Sequence, residues 1–334
     1  MDLNERIDAF SKLGYWLHKD FLRNHESEIS KAILVNPWFT IDSIEKVVHI
    51  WAKQLTHKTL LSWLCRYNIK EKRKRDTVFV IMAGNIPLVG FHDFLTVLIL
   101  GCNIVVKMSS NDNVLLSLII KKLIKINNNF ADRILIVDNI TEKKIDAIIA
   151  TGGNHSSNYF HYYFRDVKKI IRSNRTSLAI LNGKETRDQL VSLGDDVFSY
   201  FGLGCRNVSK LFLPKGFELD CLFDAFFSYR KVIDNRKYMN NYDYNKAVFL
   251  LGNNTFIENG FLIFKEEVSL FSPVAVLYYE FYDNLNSVHE FIINNKDNLQ
   301  CVISDSDISF GSAQNPNLWD YADGIDTMDF LSKI

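Results

Sequence analysis

Two periodicities divide the chain, and the change between them falls near residue 76. Upstream, apolar side chains recur at helical spacing. Ile44, Val47, Val48 and Trp51 make one stripe, and Leu60, Leu61, Trp63 and Leu64 another. Asp42-Ser43-Ile44-Glu45 has the form of a capping box with Asp42 as the N-cap. Residues 1–69 are therefore expected to be helical, and 1–75 to form a helical region packed on the domain that follows. Downstream, short apolar runs rich in β-branched residues alternate with helical stretches. Strands are predicted at 77–82, 103–107, 133–137 and 147–150, with helices at 89–100, 114–126 and, briefly, 142–145. Strands that are apolar on both faces and separated by helices imply a parallel sheet covered on both sides. The expected fold class is α/β, doubly wound and of nucleotide-binding type.

The second half continues the pattern less regularly. Strands are predicted at 177–181, 209–213, 274–279 and 299–304, and helices at 187–193, 219–229 and 285–294. Residues 240–254 and 259–264 read as irregular, the first of them rich in Asn and Tyr. The division that follows is a nucleotide-binding domain over 76–180, a second α/β domain over 181–310 and a tail over 311–334.

Composition narrows the classes. The chain has 334 residues, 47% of them hydrophobic, enough for two sizeable cores. Lys+Arg and Asp+Glu both count 39, so nothing favours a polyanionic partner and no nucleic acid is expected. The one basic run, 70–75, reads as a solvated connector. The cysteines Cys65, Cys102, Cys205, Cys221 and Cys301 are odd in number, widely spaced and without a C-x-x-C pair. They suit neither a disulfide framework nor a zinc site, and no metal is expected. The first residues lack the apolar core of a signal peptide, and the longest apolar candidate, 86–104, carries His92, Asp93 and Asn103. A cytoplasmic protein without membrane insertion is the expectation.

Candidate chemistry gathers at turns. Gly202-Leu203-Gly204-Cys205-Arg206 places a cysteine behind two glycines and just ahead of a predicted strand. Glycines allow a carbonyl to approach the sulfur closely, and a neighbouring arginine favours the nucleophilic thiolate. A buried cysteine at a loop-to-strand junction explains the residue as well. The usual G-x-G-x-x-G is not found after the first strand, where Ala83-Gly84-Asn85-Ile86-Pro87 stands. A second glycine turn, Thr151-Gly152-Gly153-Asn154, follows the fourth strand and offers backbone N–H groups to a phosphate.

Four segments in one order carry a resemblance: Gly84-Asn85-Ile86-Pro87, Lys107-Met108-Ser109-Ser110, Ala150-Thr151-Gly152-Gly153, and Gly204-Cys205 after Leu181-Asn182-Gly183-Lys184. From residue 77 onward the chain resembles the aldehyde dehydrogenase superfamily. Within it, the chain is similar to the acyl-CoA reductases related to the LuxC fatty acid reductase of bacterial luminescence. The resemblance implies two doubly wound α/β domains, Cys205 as nucleophile and Asn85 in the oxyanion hole. It implies Lys107 at the adenosine ribose with Ser109 beside it, and Thr151, Gly152 and Gly153 by the cofactor phosphates and nicotinamide. Ser269-Leu270-Phe271-Ser272-Pro273 is similar to the superfamily's E-x-F-G-P segment, with Ser269 in the glutamate's place and Glu267 as the alternative ribose ligand.

Hydrolytic relatives carry a glutamate base where Ile180 stands here. Without that base a Cys-acyl thioester is protected from water, which suits reduction of an acyl-CoA. Ser110 stands where NAD-selective relatives often have an acid, and this favours NADPH, with NADH as the other possibility. The expected partners are the acyl-CoA substrate and further copies of the chain in a homo-oligomer. Two other functions stay open: cysteine-dependent acyl transfer without reduction, and a non-catalytic binding subunit.

Overall fold

Asp2 opens the first helix. Its carboxylate accepts the Glu5 amide at 2.9 Å, and Glu5 accepts the Asp2 amide at 2.7 Å, in a computed structural model that describes residues 1–69, 76–139 and 144–334. The basic run 70–75, and Glu142 and Lys143 of the short helix expected at 142–145, lie outside the described residues. Helix α1 (Leu3–Trp16) continues through a π turn (Leu17–Phe21) into α2 (Leu22–Asn24). Then come α3 (Glu26–Val35), α4 (Ile41–Gln54) and α5 (His57–Leu64), so the preface is helical as the periodicity implies. The cap of α4 differs from expectation. Thr40, not Asp42, is the N-cap: its backbone is extended and its Oγ1 accepts the Ser43 amide at 3.1 Å, while Ser43 Oγ accepts the Thr40 amide at 2.9 Å. Asp42 lies inside the first turn, where its charge faces the positive end of the helix dipole.

The chain forms two compact units, Met1–Asn174 with Asn317–Ile334, and Arg175–Pro316. In the first, β1 (Thr77–Ile81), α6 (Phe91–Ile99), β2 (Asn103–Lys107), α7 (Val114–Ile126), β3 (Ile134–Ile136), β4 (Ala147–Thr151), α8 (Asn154–Tyr163) and β5 (Lys168–Arg172) build one sheet and its covering helices. Strand order is β3-β2-β1-β4-β5, and every pairing is parallel. Val78, Val80, Ile104 and Val106 pack on one face with the preface helices; Phe79, Ile81, Val105 and Ile148 pack on the other with Phe160 and Phe164 of α8. Burial on both sides is why these strands show no polar alternation. Strand β5, Lys-Lys-Ile-Ile-Arg, was not expected; it forms an edge, where lysines are tolerated. Arg6 of α1 is 1% exposed and ties the preface down, donating from Nε to the Ile99 carbonyl at 2.8 Å where α6 ends.

The stretch Asn317–Ile334, which ends in α13 (Thr327–Ser332), closes this unit. Tyr321 Oη lies 2.8 Å from both Trp63 Nε1 and Tyr67 Oη, and the Leu318 carbonyl lies 2.9 Å from His92 Nε2. Arg172 pairs in the interior with Asp93 of α6 and donates to Thr327 Oγ1 at 3.2 Å. No described helix is long and apolar enough to cross a membrane, and 86–104 is divided among a turn, α6 and β2.

The second unit comprises β6 (Thr176–Ile180), α9 (Arg187–Phe198), β7 (Val208–Pro214), α10 (Asp220–Phe226), α11 (Arg236–Leu251), β8 (Ile257–Glu258), β9 (Ile263–Glu266), β10 (Val276–Tyr282), α12 (Leu285–Asn294) and β11 (Leu299–Ile303). The order is β11-β6-β7-β10-β9-β8, parallel except for the β8–β9 hairpin. The expected helix at 187–193 runs on to Phe198, and that at 219–229 gives way after Phe226 to a 3-10 segment. The segment read as irregular at 240–254 is mostly helix α11. Asn235 caps it, accepting the Lys237 and Tyr238 amides at 3.0 and 3.2 Å. Tyr238, Tyr242, Asn245 and Phe249 supply its buried stripe at helical spacing. A tertiary contact outweighs the low helix propensity of Asn and Tyr here.

Candidate active site

Parallel strands bring their carboxyl ends to one edge of a sheet. In the first unit that edge carries Asn85 after β1, Lys107 and Ser109 at the end of β2, and Thr151, Gly152 and Gly153 at the end of β4. Strand order reverses direction between β1 and β4, so the turns leaving these two strands flank the topological switch point. The residues expected to hold a cofactor in this unit therefore stand together where such a fold binds one.

Each turn is built closely. Gly84 lies against Ser109: a Cβ at Gly84 would sit 2.5 Å from Ser109 Oγ, so only glycine lets the two segments approach. The Gly84 carbonyl accepts from Asn36 Nδ2 at 3.0 Å, and the Lys107 carbonyl accepts the Met82 amide at 3.0 Å. Asn85 itself is exposed. In the other turn the Gly152 amide donates to the Arg172 carbonyl at 3.2 Å, and Gly153 begins α8 with no side-chain cap. A Cβ at Gly153 would make an ordinary contact with Asn174 Oδ1 at 3.8 Å, whereas one at Gly152 would sit 2.9 Å from the Ser156 side chain, so it is Gly152 whose packing calls for glycine. A helix N-terminus following a glycine turn is the kind of place that can accept a phosphate.

Asp112 supports the β1 turn and carried no signal in the sequence. It is 7% exposed, and its Oδ2 accepts the amide of Leu88, a residue in the left-handed region at φ 55°, at 2.7 Å. Its Oδ1 is buried with no partner among the described residues. Burial pushes the Asp112 carboxyl from its ordinary 3.8 up to about 7, with the Leu88 bond opposing. The folded state then holds this proton more tightly than the unfolded chain. Its contribution is fully favourable below pH 3.8, is lost as pH rises toward 7, and is flat above. The difference amounts to on the order of 4 kcal/mol at most. Asp112→Asn keeps an acceptor for Leu88 without a charge. Its thermal midpoint is expected to gain on the wild type as pH rises from about 5 to about 8, and a constant gap across that range would sink the assignment.

In the second unit Cys205 stands half-buried in the turn between α9 and β7. Its carbonyl accepts from Ser177 Oγ at 3.0 Å. Ser177 Oγ also lies 3.0 Å from Cys301 Sγ; since its one proton is given to Cys205, the Cys301 thiol is the donor there. Burial raises the pKa of the Cys301 thiol, and Arg206 reaches it and opposes that rise. The arginine next to the candidate nucleophile in sequence thus acts on its buried neighbour Cys301, as does the Ser177 hydroxyl. Ile180, at the end of β6, is half-buried.

Glu267 follows β9. Lys265 Nζ lies 2.5 Å from its Oε2, and its Oε1 accepts the Val268 amide at 3.0 Å. The lysine holds this carboxyl below the ordinary glutamate range, so it stays ionised at neutral pH. Lys210 of β7 is a completely buried lysine whose ammonium donates to the carbonyls of Glu267 at 2.8 Å and Val268 at 3.0 Å and to Glu280 at 2.8 Å. Burial pulls its pKa down while the two glutamates oppose that fall. Ser209 adds a bond of 2.8 Å to the Leu270 carbonyl. The strand that follows Cys205 therefore grips the segment carrying Glu267. Nothing in the local sequence marks Ser209 or Lys210 for this task.

Comparison with known proteins agrees with this architecture. An indole-3-acetaldehyde dehydrogenase of P. syringae, solved with NAD+, superposes with a TM-score of 0.70 at 12% identity, over 91% of this chain and 72% of that one. An NAD-dependent benzaldehyde dehydrogenase from Corynebacterium glutamicum gives 0.68 at 12% identity, covering 91% and 76%. A betaine aldehyde dehydrogenase from Staphylococcus aureus gives 0.66 at 11%, covering 91% and 70%. At these identities the likeness shows the aldehyde dehydrogenase fold. No curated protein matches. The acyl-CoA reductase (LuxC) family model matches residues 38–221, a span that takes in the turns after β1, β2 and β4 and the Cys205 turn before β7. With that match over more than half of its length, the chain belongs to the LuxC family of acyl-CoA reductases, oxidoreductases built here on the aldehyde dehydrogenase fold.

Proposed function

We propose that this chain reduces an acyl-CoA thioester to the aldehyde with NADPH, through an acyl-enzyme on Cys205. The observation that carries the reading is Ile180, an apolar, half-buried side chain at the end of β6, at the position the resemblance assigns to the base of hydrolytic relatives. The Cys205 thiolate attacks the thioester carbonyl, a new C–S bond forms, and the bond to CoA breaks with CoA leaving as its thiolate. The Asn85 carboxamide and the Cys205 amide donate to the developing oxyanion. With no carboxylate at position 180 to deprotonate water, the acyl group waits on sulfur. A bound nicotinamide supplies the hydride that brings the acyl carbon to the aldehyde level. Collapse of the Cys205 hemithioacetal then returns the thiolate and frees the aldehyde. Lys107, Ser109, Thr151, Gly152 and Gly153 hold the cofactor, with Glu267 at its nicotinamide ribose. Ser110 after β2 is exposed and uncharged, which admits a 2′-phosphate and favours NADPH.

The test is NADPH and NADH oxidation with a panel of acyl-CoAs of graded length, with aldehyde and free CoA measured together. Equal amounts of aldehyde, CoA and oxidised NADPH are expected. Loss of thioester with neither cofactor oxidised would replace reduction by acyl transfer, and a clear preference for NADH would overturn the cofactor assignment.

A further inference from the structure

The segment that leads to Cys205 is held in a conformation the chain does not adopt unaided. Tyr200 (φ 52°), Phe201 (φ 59°) and Gly202 (φ 78°) are three successive residues in the left-handed region, and two of them carry side chains. Such runs persist only where their surroundings over-determine them. The side chain that brackets this run belongs to Asn207, two residues past Cys205 and 2% exposed. Its Nδ2 donates to the Ser199 carbonyl at 2.7 Å, just before the run. The same amide reaches the Asp196 and Val197 carbonyls at 3.1 and 3.3 Å, so it also satisfies the end of α9. Its Oδ1 accepts the Gly204 amide at 2.9 Å, just after the run.

The Asn207 backbone completes the arrangement. Its N–H donates to the Gly204 carbonyl at 3.0 Å, and its carbonyl accepts the Ser177 amide of β6 at 3.1 Å. In a trans peptide the C=O and N–H point opposite ways. Tying the Gly204 carbonyl to Asn207 therefore turns the Cys205 N–H to the opposite side of the turn. The Cys205 carbonyl is already taken by Ser177 Oγ. Both peptide planes that flank the nucleophile are fixed, one by the Asn207 backbone N–H, whose place the carboxamide bonds to Ser199 and Gly204 in turn secure.

We infer that Asn207 is the positioning residue of the nucleophile turn: its carboxamide clamps the left-handed run between Ser199 and Gly204, and so holds in register the backbone N–H that turns the Cys205 amide toward the oxyanion. This deepens the proposed function and rests on Cys205 being acylated. Asn207 touches no reacting atom; it acts through Gly204 and Cys205.

The experiment measures two rates on wild type, Asn207→Ala and Asn207→Asp, each per mole of folded protein. One is acylation of Cys205 by an acyl-CoA, followed by mass spectrometry. The other is alkylation of Cys205 by iodoacetamide across about pH 6 to 10, which needs the thiolate and no oxyanion donor. A misaimed donor is expected to slow acylation about 10- to 100-fold. The limiting alkylation rate should stay within about threefold, and any shift of the thiol pKa is read separately from the pH profile. If Asn207→Ala does not fold, Asn207→Asp carries the test, since it keeps the acceptor for Gly204 and loses the donors to α9. Acylation unchanged in the folded variants would overturn the inference, and so would a parallel fall of both rates. A wild-type protein that is alkylated at Cys205 but never acylated would bring down the proposed function along with it.

Discussion

Cys205→Ala is expected to remove acyl-enzyme formation and cofactor oxidation together, by on the order of 10⁴-fold or more, because no second thiol stands in the same turn. Of the other cysteines, Cys301 touches Ser177 but is buried, and burial keeps it protonated. Cys65 is exposed on the helical preface. The substitution should leave the fold intact. Cys205 is only half-buried, so the unfolding free energy should change by no more than about 1 kcal/mol. Cys301→Ala gives the opposite pattern: a stability cost of about 1 to 2 kcal/mol from the emptied space, with acylation retained. Peptide mass spectrometry after incubation with acyl-CoA reads the first outcome directly. An acyl group found on Cys301 or Cys221 in the Cys205→Ala protein would move the nucleophile elsewhere.

Asn85→Ala is the second large effect. Asn85 is the proposed oxyanion donor, and its loss is expected to cost about 10² to 10³ in the rate of the chemical step. The substrate KM should change far less, because the donor meets charge that develops only in the transition state. The turn itself should survive. Gly84 is held by Asn36, Leu88 by Asp112, and neither bond uses the Asn85 side chain. Pre-steady-state acylation at saturating acyl-CoA separates the two parameters. A fall of less than about threefold, or a fall confined to KM, would show that Asn85 is only a turn residue.

The central strands are legible in the sequence because they are apolar on both faces, whereas β5, β8 and β9 are not, and 259–264, read as irregular, runs into β9. Val78 and Val80 face one core, Phe79 and Ile81 the other, so the run contains no polar position to confuse it with a surface strand. Strand β5 is illegible because Lys168, Lys169 and Arg172 belong to an edge. Helix α11 is illegible because its stripe is made of Tyr238, Tyr242 and Asn245, whose side chains signal loops as readily as cores. At α4, two good capping residues lie two positions apart, and only the backbone angles at Thr40 decide between them.

Within the candidate site the chemical groups announce themselves, since Asn-x-Pro, Gly-Gly and Gly-Cys are local patterns. Their supports do not. Asp112 acts on Leu88 across 24 positions and Lys210 on Glu267 across 57. No local rule couples such pairs. Even Asn207, two residues from Cys205, is marked only by the left-handed angles of Tyr200 and Phe201, which side chains of that size disguise.

The return of Asn317–Ile334 to the first unit has a consequence for how the protein is made. A ribosome delivers Trp63, Tyr67, His92 and the Asp93–Arg172 pair long before it delivers Leu318, Tyr321 and Thr327, their later partners. Between the two come all of residues 175–316, which at translation speed means a wait on the order of ten seconds. During that interval the earlier-made half keeps a seam of aromatic and ionic side chains uncovered, while the later-made half is contiguous and free to finish. Birth order and completion order are thus reversed, and nascent chains stalled anywhere before Asn317 should be the ones that chaperones retain and proteases cut within the first unit.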